Sequence, residues 1–316
     1  VPDDQLQPPI LLLGNVRSGT SMVQSFFELC PGVVSWFEPR TVWMYADPGR
    51  RHDRFTAEDA SPRVKAYIRK RFLAQQHALG GRVMEKTPSN VMRLPYVHAI
   101  FPECKLIYII RDPLAQVSSS EFRARNAINP RHARRRFLET PKTQLHHYIW
   151  RAFVDHFRKK VLRRKHVSVW GVRYDGVYAD LKRMPREQVL AKQWAACSKQ
   201  MAEDIASLPK GLVYQVRYED LVADPVKHFV AMCAHVGIDP PDDAIEKVRA
   251  TVDPSRQGKW KRMDPELIGA LLPHVESEMA RHGYEPPTDL PDDDERQRLA
   301  ASATSFSGPG STRKGP

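Results

Sequence analysis

Residues 10–24 read ILLLGNVRSGTSMVQ. The apolar run Ile10-Leu11-Leu12-Leu13 stops at Gly14, and a polar loop follows: Asn15-Val16-Arg17-Ser18-Gly19-Thr20-Ser21. Met22, Val23, Phe26, Phe27 and Leu29 then recur at spacings of three and four. That order predicts a buried strand, a tight loop and the start of a helix. Such a junction aims backbone N–H groups and the positive end of a helix dipole at one point, a ready seat for phosphate or sulfate. The spacing approaches the phosphate-loop template G-x-x-x-x-G-K-[ST], with Gly14 and Gly19 in the glycine positions. Thr20 stands where the lysine belongs, Ser21 follows it, and the positive charge sits inside the loop at Arg17. A nucleoside triphosphatase uses that lysine on the β/γ-phosphates and the next hydroxyl on Mg²⁺. This loop is therefore expected to grip an anion other than a Mg-triphosphate. The plainer alternative is an ordinary glycine-containing strand-to-helix turn.

The rest of the composition bounds the answer. A chain of 316 residues can bury one large core, or one core plus a subdomain. Its 27% charged and 41% apolar content is ordinary for a soluble globular protein. No apolar run approaches the roughly 18 residues of a membrane span. The acidic start, Val1-Pro2-Asp3-Asp4, is not a signal peptide, although a start at Val1 leaves room for a removed upstream anchor. The net charge of +12 calls for an anionic partner: nucleotide, anionic glycan, membrane surface or nucleic acid. Cys30, Cys104, Cys197 and Cys233 lie far apart in apolar or helical contexts, without a CxxC or Cys/His cluster. They read as buried free thiols, which suits a reducing, cytoplasmic compartment, and no metal site is expected.

Strand and helix signals alternate along the chain. Strands are expected at Val33–Trp36, Arg82–Met84, Lys105–Ile110, Val167–Trp170 and Leu212–Val216. Ser61-Pro62 starts a helix that Gly80-Gly81 stops after Leu79, and Pro113 sits at the N1 position of another. Further helices are expected at about 186–208, 225–236 and 242–251, and up to His282. The alternation predicts an α/β fold: a three-layer α/β/α, phosphate-loop-like architecture around a mostly parallel sheet. A basic helical insertion over about 123–166 reads either as a solvated helix face or as a lid facing an anionic substrate. Residues 1–286 would form the domain, and 287–316 a disordered tail rich in Ser, Thr, Gly and Pro.

In such sheets ligands bind beyond the carboxyl ends of the strands. Three strand-end loops there offer cations and hydroxyls: Arg17 to Ser21, then Lys86 in Glu85-Lys86-Thr87-Pro88-Ser89-Asn90, then Arg111 with Ser119. Ser119 and Arg123 are four apart and share a helix face. Two separated anion sites imply a ligand with two separate phosphate groups. For Arg111 alone, a structural pairing with an aspartate is the competing reading.

Together these residues resemble the sulfotransferases that use 3′-phosphoadenosine 5′-phosphosulfate. Gly14 to Ser21 is similar to their 5′-phosphosulfate loop, typically PRSGTT or PKSGTT. Arg111-Asp112-Pro113-Leu114-Ala115 with Ser118-Ser119 resembles their 3′-phosphate motif, and Lys86-Thr87-Pro88 their strand-end lysine. Arg217-Tyr218-Glu219-Asp220-Leu221 with Asp224-Pro225 matches a further signature. Arg256-Gln257-Gly258-Lys259-Trp260 looks like a shortened form of the loop that closes over the nucleotide. The resemblance spans about residues 9–286. It implies donor contacts from Arg17, Ser18, Gly19, Thr20, Ser21, Arg111, Ser119, Arg123, Tyr218, Arg256, Lys259 and Trp260. The implied product is adenosine 3′,5′-bisphosphate, and no metal is required.

One departure bears on catalysis. Many cytosolic members carry KTH where this chain has Lys86-Thr87-Pro88, and that histidine is their base. Tyrosylprotein-type members use a glutamate 21 residues after the loop arginine, which here is Glu38, followed by Arg40. Glu38 is accordingly the expected general base, with a salt bridge to Arg40 or Arg17 as the competing reading. Arg17 and Lys86 would stabilise the charge of the transition state. The acceptor, a hydroxyl or amine on a small molecule, glycan or peptide, is not legible in the sequence. The basic middle segment would suit an anionic one, and Trp36, Phe37, Trp43 and Tyr45 could line an apolar pocket or pack the core. The rival functions are a Mg²⁺-dependent small-molecule kinase and a non-catalytic polyanion-binding module. No nucleic-acid-binding motif is present.

Overall fold

Ile10–Leu13 forms β1 in the computed structural model, which describes residues 5–124, 170–253 and 257–288. The other strands are β2 (Val33–Phe37), β3 (Arg82–Lys86), β4 (Leu106–Ile110) and β5 (Val213–Arg217). They form one sheet in the order β2-β3-β1-β4-β5, every pair parallel. The helices are α1 (Thr20–Phe27), α2 (Arg40–Trp43), α3 (Pro62–Leu79), α4 (Leu94–Ile100), α5 (Pro113–Ala124), α6 (Val177–Arg183), α7 (Arg186–Ala206), α8 (Tyr218–Ala223), α9 (Pro225–His235), α10 (Asp242–Thr251) and α11 (Pro265–Arg281).

The period-2 geometry of strands sorts the core into two layers. Leu11 and Leu13 of β1, with Leu106, Tyr108 and Ile110 of β4, face α3, α4, α5, α7 and α11. Ile10, Leu12, Ile107 and Ile109 point the other way, towards α1, α8, α9 and α10. Both faces of the sheet are thus covered, which is why β1 and β4 read as unbroken apolar runs. The expected three-layer α/β/α fold is the one observed. The chain builds β2 and β3 on one side of β1, then crosses to β4 on the other. Beyond the carboxyl end of β1 this change of direction opens the crevice in which α/β sheets bind ligands.

Local signals hold where they were strongest. The Ser61 hydroxyl accepts the Val64 N–H, Pro62 opens α3, and Gly80, at φ 72°, ends it. The four cysteines are buried and free. Other expectations need correction. Lys86 lies inside β3, because that strand continues pairing with β2 through Phe37 and Lys86. Trp170 is outside any strand, and the rest of that expected strand, Val167 to Val169, lies outside the described residues. Lys259–Arg262 is a 3-10 turn rather than open loop. The short helices α2 and α6 carry too little periodicity to be read from sequence. Of the basic insertion, positions 123 and 124 belong to α5, and 125–166 lie outside the described residues, as does the tail from 289.

A buried charge cluster ties the loop after α2 to the segment after residue 170. Asp53 is about 1% exposed, and Arg173 grips it with Nε at 3.0 Å, Nη2 at 2.7 Å and its backbone N–H at 2.8 Å. Arg40 and the fully buried Arg93 approach the same carboxylate at 3.4 and 3.7 Å. Burial alone would raise the Asp53 carboxyl, but the three guanidiniums outweigh it and hold it below the ordinary range. Removing the anion strands the buried Arg93 and Arg173 guanidiniums in a low-dielectric interior, beside the partly exposed Arg40. Asp53→Asn is therefore expected to lower stability by about 3–5 kcal/mol in urea unfolding. Because the folded-state pKa is depressed, this stabilisation is present above the unfolded pKa near 4 and lost as pH falls through the folded value.

A candidate active site at the strand ends

Parallel pairing puts the carboxyl ends of all five strands on one side, and the sequence places its polar loops there. β1 feeds the loop 14–19, β3 ends at Lys86, and β2, β4 and β5 are followed directly by Glu38, Arg111 and Tyr218. The Glu38 N–H donates to the Lys86 carbonyl at 3.2 Å, extending the β2–β3 ladder by one rung. Register therefore fixes these two residues side by side. Lys86, about 4% exposed, donates to Ser21 Oγ at 3.2 Å and to Glu38 Oε1 at 3.4 Å, and its ammonium lies 4.3 Å from the Phe37 ring centroid. Burial pulls the Lys86 pKa down, against the opposing pull of the Glu38 carboxylate. Arg40 instead pairs with Asp53 and donates to the Gly171 carbonyl at 3.2 Å.

Arg17, at φ 66°, and Glu38, at φ 47°, are the non-glycine residues with positive φ among the described residues. That conformation costs roughly 1–3 kcal/mol at a side chain of this kind and gathers at functional sites. Here it falls on two of the three expected catalytic residues.

The loop itself is built for close approach. Gly14 has no room for a Cβ, which would meet Ser18 Oγ at 2.4 Å and the Ile109 carbonyl at 2.9 Å. Gly19, at φ 101°, is the N-cap of α1, and its Cβ would strike the Tyr218 ring at 2.4 Å. No side chain caps α1, and of its first turn the Met22 N–H is taken up by the Gly19 carbonyl at 2.9 Å, so the Thr20 and Ser21 N–H groups are the ones that face an anion. Ser18 Oγ, Asn15 Nδ2 and Arg111 Nε are buried and have no hydrogen-bond partner among the described residues. Buried polar groups are as a rule hydrogen-bonded, and these three fit an anion or water as partner.

Arg111 links the loops. Its guanidinium lies 4.2 Å from the Tyr218 ring centroid, and Nη1 donates to the Arg17 carbonyl at 3.1 Å. Arg17 Nε in turn donates to Ser119 Oγ at 3.0 Å. The two anion sites expected to be separate are thus spanned by Arg17. The structure brings together Arg17, Ser18, Gly19, Thr20, Ser21, Glu38, Lys86, Arg111, Ser119 and Tyr218. Lys259 is exposed and Trp260 packs on the larger core cluster, in a turn that touches α5. Arg256 lies outside the described residues, and of Arg123 only its place in α5 is described. Trp36 and Trp43 are core residues, in edge contact with Phe72, whereas Tyr45 stacks on Tyr67 at 3.7 Å and is half-buried. Among the described residues no helix is long and apolar enough to cross a membrane.

Glu85 is a buried acid that sequence reasoning did not single out. Its carboxylate accepts from Thr87 Oγ1 and from Asn90 Nδ2, clipping the turn that follows β3. Burial pushes its pKa up to about 7, against the pull of the Thr87 hydroxyl. An unfolded glutamate ionises near 4.3, so the folded state loses stability as pH rises from there through about 7. Glu85→Gln removes this penalty. A flip of the Asn90 amide, whose Oδ1 has no partner among the described residues, would satisfy the new amide. The melting temperature of the variant relative to wild type is expected to rise between pH 5 and pH 8.

A model of the sulfotransferase family matches residues 8–190 and 177–243. Among solved structures, the sulfotransferase domain from the curacin biosynthetic pathway is 15% identical, with a TM-score of 0.51 over 90% of this chain and 100% of that one. The sulfotransferase domain of the Synechococcus PCC 7002 olefin synthase is 16% identical, with a TM-score of 0.52 over 90% and 97%. At such identities the likeness speaks to the fold. No curated protein sequence matches the chain.

Proposed function

The chain belongs to the sulfotransferase family, and from that premise we propose that it moves a sulfuryl group from 3′-phosphoadenosine 5′-phosphosulfate to a hydroxyl or amine acceptor. The observation that carries this reading is the contact of Glu38 with Lys86, while Lys86 also reaches Ser21 at the mouth of the anion loop. A base and a cation thus meet where the loop would hold the donor's reacting end. The orphaned Ser18 Oγ and the uncapped start of α1 fit its 5′ end, and Arg111, with its free Nε, and Ser119 fit its 3′-phosphate.

Bound there, the donor supplies an electrophilic sulfur and a phosphate leaving group. Glu38 takes the proton from the acceptor as its oxygen or nitrogen bonds to sulfur, and the bond from sulfur to the 5′-phosphate oxygen breaks in line. Lys86, Arg17 and the α1 N–H groups donate to the negative charge that gathers on the sulfuryl oxygens and the leaving phosphate. These donors stand in place before the reaction, so little reorganisation is needed. The product is adenosine 3′,5′-bisphosphate. The chemistry of the acceptor beyond its nucleophilic group, whether small molecule, glycan or peptide, is a matter for a screen with labelled donor.

Thermal shift tests the reading directly, because ligands of the folded state raise its midpoint. Adenosine 3′,5′-bisphosphate is expected to raise it without Mg²⁺. A shift given only by Mg-ATP would favour a kinase, and one given only by heparin a polyanion-binding module. Arg111→Ala and Ser119→Ala test the 3′ end. Losing a charge-assisted phosphate contact is expected to weaken bisphosphate binding by about tenfold for Arg111→Ala, and by less for Ser119→Ala. Unchanged calorimetric affinity in both would remove the 3′-phosphate assignment.

A further inference from the structure

We infer that Glu219 and Tyr284 are positioning residues that aim Arg111 at the 3′-phosphate, a role that rests on the donor site proposed for this chain. Both polar atoms of one peptide unit, that joining Arg111 to Asp112, are held by side chains from distant elements. The Arg111 carbonyl accepts from Trp194 Nε1 at 2.8 Å. The Asp112 N–H donates to Glu219 Oε1 at 3.1 Å. The plane of that peptide sets the direction in which the Arg111 side chain leaves β4.

Glu219 is oriented in its turn. Its Oε2 accepts from the Tyr284 hydroxyl at 2.8 Å, and Tyr284 is about 6% exposed. Arg217 Nη1 donates to the Gly283 carbonyl at 2.8 Å, with its guanidinium 4.6 Å from the Tyr284 ring centroid. The Tyr284 ring also stands edge-on to Trp194, at 6.4 Å. The segment after α11 therefore braces both clamps of the Arg111–Asp112 peptide at once. Burial and the neighbouring Glu219 push the Tyr284 phenol well above its ordinary value, so it stays a donor.

This arrangement carries an electrostatic penalty that a merely structural brace would avoid. Glu219 lies close to the half-buried Asp112. Burial, opposed by the Ala115 N–H, and then the charge of Glu219 bring the Asp112 carboxyl up to about 6. Two acids beside a seat for phosphate weaken anion binding, and a neutral clamp would hold the peptide without that penalty. What the carboxylate adds is two oriented acceptors, one for the Asp112 N–H and one for the Tyr284 hydroxyl, which fix the peptide plane from two directions.

The test compares adenosine 3′,5′-bisphosphate with adenosine 5′-monophosphate by calorimetry. Tyr284→Phe keeps the ring and its contacts and removes only the hydroxyl. It is expected to weaken bisphosphate binding by about fivefold, the worth of one net hydrogen bond, and to leave monophosphate binding unchanged. Glu219→Ala is expected to lose more, about tenfold, again for the bisphosphate alone. Glu219→Gln should recover much of that loss, because its amide carbonyl can still accept the Asp112 N–H. Equal losses for both nucleotides would mean general loosening and would overturn the inference, as would unchanged bisphosphate affinity in the variants. If Glu219→Ala fails to fold, Tyr284→Phe decides the matter alone. A wild-type protein that binds neither nucleotide would instead remove the donor site itself, and the positioning role with it.

Discussion

Glu38→Gln is expected to lower turnover about 10²–10⁴-fold while binding of adenosine 3′,5′-bisphosphate survives. The substitution keeps the shape and a hydrogen-bonding oxygen but removes the ability to accept a proton. The backbone of Glu38, at φ 47°, and its rung to the Lys86 carbonyl do not depend on the side-chain charge, so the fold should tolerate the change. Nucleotide affinity therefore separates loss of a base from loss of the site. Turnover within a few-fold of wild type would show that another group takes the proton. Glu85, the neighbour of Lys86 in β3, is fully buried on the opposite face of that strand and engaged by Thr87 and Asn90. It is poorly placed to meet an acceptor.

Lys86→Met is expected to lower turnover about 10²–10³-fold, the usual loss when one donor to developing charge is removed from a water-poor site. Methionine fills much of the buried volume of the lysine stem, so packing around Phe37 should persist. The two side chains touch, and their effects should not be independent. With Lys86 gone, Glu38 loses the cation 3.4 Å away that helps hold its carboxylate in place. The double variant should consequently lose less than the product of the single losses, as groups that act as a unit do. Full multiplicativity would mean that the base and the cation act separately.

The central strand, the anion loop and α1 were legible because each is written locally. An apolar run, a glycine and a helical period fall within Ile10 to Phe27. The three-layer fold followed from the same kind of signal repeated, strand after helix, and the buried free cysteines from their apolar surroundings. Arg17, Lys86 and Arg111 were found because motifs place them at strand ends, and Ser119 because the same motif as Arg111 places it on the following helix. Glu38 came from a spacing shared with related enzymes, and no local pattern around it marks it as special. Glu219 stood inside the Arg217–Leu221 signature without a role of its own, and Tyr284 left no signal, since a tyrosine after a helix is common.

The sequence by itself determined the five strands that form the sheet, though it added one reaching Trp170, which lies outside any strand, and with them the direction of the sheet and the composition of its carboxyl edge. Hydrophobic period and turn chemistry act over a few residues, and a parallel sheet needs only their alternation. Tertiary structure alone decided who touches whom across that edge. The register of β2 on β3 sets Glu38 against Lys86, and the crossover from β3 to β4 brings Ser119 to Arg17, 102 residues away. Arg173 meets Asp53 across 120 residues, and Tyr284 meets Glu219 across 65. Such pairings depend on strand order and on the path of the chain over the sheet. Any one residue's neighbours in sequence carry no record of either.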